Sequence, residues 1–269
     1  MPSFDIVFDL AHCQASLALN TLGSHGPGAA ATMQLIYEGE RPVCSDFELI
    51  AEWLPLAGGR LLELGCGAAL TTRRLAESFP VGEIIAMEVD RIQHHKNLQI
   101  SDLPQVTFLF GGAEAIDLPD RSVDAVIMLK SLHHVPVGEM DQALREIARV
   151  LRPGGKAYIS EPVYAGAFNE ILRLFNDERM VREAAFETIR RAVAAGPLEL
   201  EREFHFSSIS RFDGFAEFEQ RVIGATHSAF EIDDALHHEI RSRFSPHLDT
   251  EGVAEFLNPM RVDLLRSPA

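Results

Sequence analysis

The feature that most constrains this chain is the stretch at residues 60–70, RLLELGCGAAL. A short apolar run (Leu61, Leu62, Leu64) carries an acid, Glu63, and then breaks into Gly65-Cys66-Gly67. The residues that follow have helical spacing, with Leu70, Leu75 and Phe79 on one side and Arg73, Arg74 and Glu77 on the other. Strand, glycine turn and helix in this order open a nucleotide-binding α/β unit. Glycines lack Cβ, so the backbone there can approach a ligand closely and take angles closed to other residues.

Two details separate this turn from a dinucleotide fingerprint. Leu70 stands where G-x-G-x-x-G needs its third glycine, and Glu63 lies two residues before the first glycine, poorly placed beside a pyrophosphate but well placed beside a cation. The form E-x-G-x-G resembles motif I of the class I S-adenosylmethionine-dependent methyltransferases, specifically the type 11-like domain. The resemblance implies S-adenosylmethionine as cofactor and S-adenosylhomocysteine as product. It places Glu63 under the methionine end of that ligand, helping to hold its ammonium through the backbone or bound water, with Gly65, Cys66 and Gly67 as backbone contacts. Cys66 has no basic neighbour in sequence to lower its pKa, so it is not expected to be a nucleophile.

Further stretches in order carry the same resemblance. EIIAMEVD reads as a buried strand ending in acids about 20 residues beyond the turn, where such folds place a carboxylate on ribose hydroxyls. Glu88 or Asp90 could serve; the family pattern aligns Glu88, followed by Val89, and a carboxylate can accept from both the 2′-OH and the 3′-OH. GGAEAIDLPDRSVDAVIMLK is similar to the family's adenine-binding stretch, through Ala113, Glu114, Pro119, Asp120 and Asp124. Gly112 departs from it, standing where the family usually has an Asp that accepts from adenine N6; the Ala113 backbone would still read N1, and Glu114 could compensate. The fourth strand ends at Leu129 and Lys130, which in the resembled family border the methionine part. LRPGGK before a fifth strand, KAYISEP, completes the pattern, which covers roughly residues 47–162 and fades beyond.

The expected fold is therefore α/β: a Rossmann-like, doubly wound, mostly parallel sheet of seven strands with the last antiparallel. Residues 1–44 read as an N-terminal helical cap or lid, with a helix running through Tyr37; Tyr37, His25 and Arg41 are its residues of interest, Tyr37 as a cofactor contact. Residues 45–165 form the cofactor-binding core. Residues 166–269 add a helical insertion, one long helix over 166–195, before the last strands, in the region where family members build substrate pockets. Pro259 inside the last strand implies an edge, a bulge or a later start.

Methyl transfer is an in-line displacement that depends mainly on proximity and orientation, and needs a base only when the acceptor is protonated. The catalytic candidates are Glu161 at a strand tip, His133 or His134, and Tyr164, with His227 a weaker one. Adjacent helical side chains diverge by about 100°, so His133 and His134 are not expected to share a metal ion, and no metal site is expected. A net charge of −16 disfavours a nucleic-acid backbone or an anionic membrane as partner. No apolar run approaches a membrane span, and MPSFDIVFDL lacks the basic start of a signal peptide. Three scattered cysteines suggest neither a CxxC pair nor a disulfide framework, so a cytoplasmic location is expected. The function expected is methylation of an O, N or C nucleophile on a small molecule, by a monomer or homodimer. A dehydrogenase is disfavoured by Leu70 and Glu63. A non-catalytic S-adenosylmethionine-binding or scaffold protein is the alternative, and Gly112 is the feature that hints at it.

Overall fold

A computed structural model describes residues 29–224 and 230–268. The core opens with helix α1 (Asp46–Trp53). Ser45 caps it: its Oγ accepts from Glu48 N at 3.3 Å, while Ser45 N donates to Glu48 Oε2 at 2.8 Å, so orphan amides at the helix start are satisfied reciprocally. Strand β1 (Arg60–Leu64), helix α2 (Leu70–Ser78), strand β2 (Glu83–Glu88), helix α3 (Arg91–Asn97) and strand β3 (Val106–Phe110) follow as two strand–helix–strand units. Strand β4 (Val123–Leu129), a 3-10 turn at Leu132–His134, helix α4 (Met140–Val150) and strand β5 (Leu151–Pro162) form the next.

The sheet has seven strands in the order β3-β2-β1-β4-β5-β7-β6, with β6 at Glu199–Phe212 and β7 at Ala254–Arg266. Strands β1 to β5 are parallel, and β7 runs antiparallel to both β5 and β6. This is the expected doubly wound architecture. Alternation along each strand sends side chains to opposite layers. Leu62, Leu64, Val126 and Ile159 pack with α4 and with helix α6 (Arg179–Ala195), while Leu61, Ile127 and Tyr158 pack with α1 and α2. The chain turns from β1 outward to β2 on one side and to β4 on the other, leaving a crevice at the carboxyl ends of these strands, where open α/β sheets bind ligands.

Several expectations are corrected. Leu70 opens α2 but is 77% exposed, so only Leu75 and Phe79 of the expected apolar side pack inward. The helix expected through Tyr37 is a single 3-10 turn, Ala29–Ala31, followed by irregular chain whose Val43 bridges to Ser207 of β6; His25 and His227 lie outside the described residues. The long helix over 166–195 is two, α5 (Ala167–Leu172) and α6, with Asp177 at the break, where its Oδ1 accepts from Arg179 N at 3.1 Å. Cys44 is disulfide-bonded, against the expectation that the cysteines stay unpaired. Pro259 lies just where β7 loses β5 as a neighbour, since that pairing ends at Pro162 with Met260; β7 is interior from there on and one-sided before it, which a proline tolerates.

The remaining elements, α7 (Phe215–Phe218), a π turn at Glu219–Ile223 and α8 (Asp234–Phe244), gather an aromatic cluster with α5 around Phe212, Phe218, Phe244 and Phe256. None of the helices among the described residues is long and apolar enough to cross a membrane.

Candidate active site: two cavities meeting at one turn

A cavity of about 750 Å³ lies over the carboxyl ends of β1, β2 and β4. The glycine turn forms its floor. Gly65 has φ 73°, and a Cβ built there would sit 2.8 Å from the Ser131 Cβ, so only glycine fits. Gly65 N and Cys66 N both donate to Met87 O at 2.9 Å, holding the turn against β2. Glu88 stands at the β2 tip, lines the cavity and is 7% exposed. It accepts from Gly67 N at 2.7 Å, and from Val89 N and Asp90 N at 2.8 Å each. A carboxylate offers about four lone-pair sites; three are thus committed, leaving room for one incoming hydroxyl rather than the two expected. Asp90 is used differently, as the cap of α3, accepting from Ile92 N at 2.8 Å.

Gly112, Ala113 and Glu114 form the far wall, and Val89, Leu129 and Lys130 complete the rim. A Cβ added at Gly112 would meet the Glu114 carboxylate at 2.2 Å. The acid absent from position 112 is replaced in space by the acid at 114.

Three expected cofactor residues are not in the cavity lining. Glu63 is buried behind the turn, on the α2 side, where Thr72 Oγ1 donates to it. Burial raises its pKa to about 7, against the lowering effect of Thr72, and the Glu88 charge adds to the rise. Cys66 is also buried outside the cavity lining; burial, then the charges of Glu63 and Glu88, push its thiol far up, so it stays protonated and unreactive. Tyr37 stacks on His205 of β6, ring centroids 5.3 Å apart, away from the cavity. Sequence spacing could place these residues near the turn but could not show which layer each side chain enters.

A second cavity, of about 430 Å³, opens between the 3-10 turn after β4, helices α5 and α6, and the π turn. The two cavities share Lys130 and His134. Lys130 has φ 53°, a left-handed backbone rare for a residue with a side chain and found where a site demands it. Its neighbours His133 and His134 do not diverge: in the 3-10 turn their ring centroids are 4.1 Å apart, and both line the second cavity. This overturns the geometric premise that adjacent histidines cannot face one place.

Glu161, at the β5 tip, is 4% exposed and lies behind His133. One oxygen accepts from Leu132 N at 2.9 Å and the other bonds His133 Nδ1. It orients the imidazole so that Nε2 faces the cavity, 4.0 Å from Glu178 Oε2. Glu178 and the buried Arg182, neither flagged by the sequence, form the wall opposite: Arg182 Nη2 donates to Glu178 Oε2 at 2.6 Å and Arg182 Nη1 to Asn169 Oδ1 at 3.1 Å. Burial pushes the Glu178 carboxyl up, but Arg182 and the two histidines outweigh it and hold it below the usual range. Tyr164 is not part of either cavity; its ring lies under Arg179, 5.3 Å from Cζ.

Residues 62–159 match the family model described as a methyltransferase domain. An uncharacterized methyltransferase of Mycobacterium bovis is 40% identical over 120 residues, 45% of this chain and 46% of that one. The 27-O-demethylrifamycin SV methyltransferase of Amycolatopsis mediterranei is 36% identical over 118 residues, 42% of each. The chain thus spans about half the length of the curated relatives it matches. Among solved structures, the YcgJ protein from Bacillus subtilis superposes with a TM-score of 0.55 at 17% identity, covering 83% of this chain and 98% of that one. The [4+2]-cyclase SpnF does so with 0.55 at 20% identity, covering 90% and 91%. Both likenesses concern the fold alone.

Proposed function

We propose that this chain, whose residues 62–159 belong to the methyltransferase-domain family, transfers a methyl group from S-adenosylmethionine to a small-molecule nucleophile. The observation that carries this reading is the meeting of two cavities at Lys130 and His134. One cavity suits the cofactor: it has a close backbone approach at Gly65, a fixed carboxylate at Glu88, and the acid of Glu114 beside Gly112. The other takes the acceptor.

S-adenosylmethionine, when bound, supplies an electrophilic methyl carbon whose bond to sulfur breaks with the electron pair staying on sulfur. The chain's own part is to place the acceptor in line and to handle its proton. Glu161 holds His133 Nδ1, so Nε2 is the basic atom facing the acceptor cavity. A hydroxyl or amine that attacks there gives its proton to Nε2, and Glu161 stabilises the imidazolium that results. Glu161 acts through His133 and is a positioning residue. Phe168, Leu172 and Phe230 make an apolar side to the same cavity, suited to the body of an organic acceptor.

A second reading is a protein that binds the cofactor without methyl transfer. The fold it shares with a [4+2]-cyclase keeps that reading in play, while the Glu114 carboxylate beside Gly112 removes the sequence feature that favoured it. The test is release of S-adenosylhomocysteine across a panel of phenolic, enolic, carboxylic and amine acceptors. Turnover with one class, with kcat falling at least tenfold in His133→Asn, is expected. Cofactor binding with no turnover across the panel would favour the second reading.

A further inference from the structure

The histidine pair converges with Glu178 on one point. His133, His134 and Glu178 each offer a ligand atom, and these atoms lie within 4.8 Å of one another. We propose that His133 Nε2, His134 and Glu178 form a binding site for a divalent ion of the zinc or cobalt type. It goes beyond the methyl-transfer reading and is exclusive with the base role of His133: an ion on Nε2 takes the lone pair that otherwise accepts the acceptor's proton, and lowers that proton's pKa in its place.

Three observations carry it. First, two imidazoles and one carboxylate are the donor set of open, catalytic zinc sites, which keep a position for water or substrate. Second, a metal-ligating histidine commonly gives its other ring nitrogen to a carboxylate, which fixes the tautomer. Glu161 occupies that place on His133 Nδ1, which leaves the Nε2 lone pair aimed at Glu178. Third, Glu178 is supported from behind: Arg182 Nε and Nη2 donate to Oε2, and Asn176 Nδ2 donates to Oε1 at 2.9 Å. These fill both sites of Oε2 and one of Oε1, so the remaining Oε1 site is the one left for the ion.

Bonds of about 2.1 Å need donors closer than the present spacing, so the site must tighten. His134 is exposed and supplies the movement. The imidazoles favour a borderline transition ion over Mg²⁺ or Ca²⁺. Because His134 lines both cavities, the open coordination position faces the junction between them. The ligand class that fits is an acceptor presenting one oxygen, or two adjacent oxygens, to the ion.

The test is titration of the chelator-treated full chain with Co²⁺, without any cofactor, read by visible d–d absorption and followed by competition with Zn²⁺ and Mg²⁺. One equivalent of a low-coordinate Co²⁺ band is expected, displaced by Zn²⁺ but not by Mg²⁺. Affinity should fall at least tenfold in His134→Ala, whose exposed side chain can be removed without disturbing the fold, and in Glu178→Gln, and stay unchanged in His237→Ala on α8. Absence of the band in the wild type, an unchanged band in His134→Ala, or displacement by Mg²⁺ as readily as by Zn²⁺ would overturn the proposal.

Discussion

Glu63 is buried beneath the glycine turn with its pKa raised from 4.5 to about 7. A carboxyl raised in the fold binds a proton that the unfolded chain has released, so between about pH 4.5 and 7 the folded state holds more protons and its stability falls as pH rises. Below that window the contribution is intact, and above it the loss is complete. Glu63→Gln removes this dependence; relative to wild type it should gain roughly 3 kcal/mol between pH 4.5 and 7.5, at about 1.4 kcal/mol per pKa unit, measured as the difference in denaturant midpoints. Asp263, raised to about 6 mainly by burial, slopes the same way in both proteins and cancels in that difference. The Gly112 and Glu114 pair makes a second test. Gly112→Asp alone drives its side chain into the Glu114 carboxylate and should weaken cofactor binding about tenfold, whereas Gly112→Asp with Glu114→Ala should restore it, a coupling visible in a double-mutant cycle. The sequence marked the glycine as a departure and the neighbouring acid as its compensation. It could not show that the two compete for one volume, because that depends on how the chain folds after β3.

The elements of the core were legible because their signals were local. The apolar runs of β1, β2, β4 and β5 are bounded by glycine, proline or acids. The first unit after the sheet's parallel half was less so. Residues 166–195 keep a continuous amphipathic pattern, yet side chain–backbone bonds at Asp177 end one helix and start another, as short polar side chains do when they compete with helical bonding. The break has a consequence: it places Glu178 and Arg182 at the cavity rather than along an uninterrupted helix. The histidine pair was misjudged for the same reason, since an α-helical spacing was assumed where a 3-10 turn lies. The aromatic cluster that braces this region depends on tertiary packing. Phe244, fully buried against Phe212, Phe215, Phe218 and Phe256, should cost about 3–5 kcal/mol on truncation to Ala, read as a lowered unfolding midpoint.

On the scale of the molecule, an acidic chain of 269 residues puts its two cavities at the carboxyl ends of the parallel strands of one mixed sheet, with Lys130 and His134 between them. The family match, residues 62–159, covers the part that builds the cofactor cavity, and the acceptor cavity is built largely from residues after it. His133 and the Glu161 behind it were legible as candidates, but Glu178, Arg182 and the apolar wall were out of reach of motif reasoning, which can follow a shared ligand but not a private one. The central claim is that the first cavity binds S-adenosylmethionine. Isothermal titration of the full chain with S-adenosylmethionine and S-adenosylhomocysteine, with NAD as control, tests it on wild type and Glu88→Ala. The account predicts Kd values on the order of micromolar for the first two ligands, no heat with NAD, and loss of both in Glu88→Ala. Absence of binding by a folded wild type, or NAD binding as tightly, would contradict it.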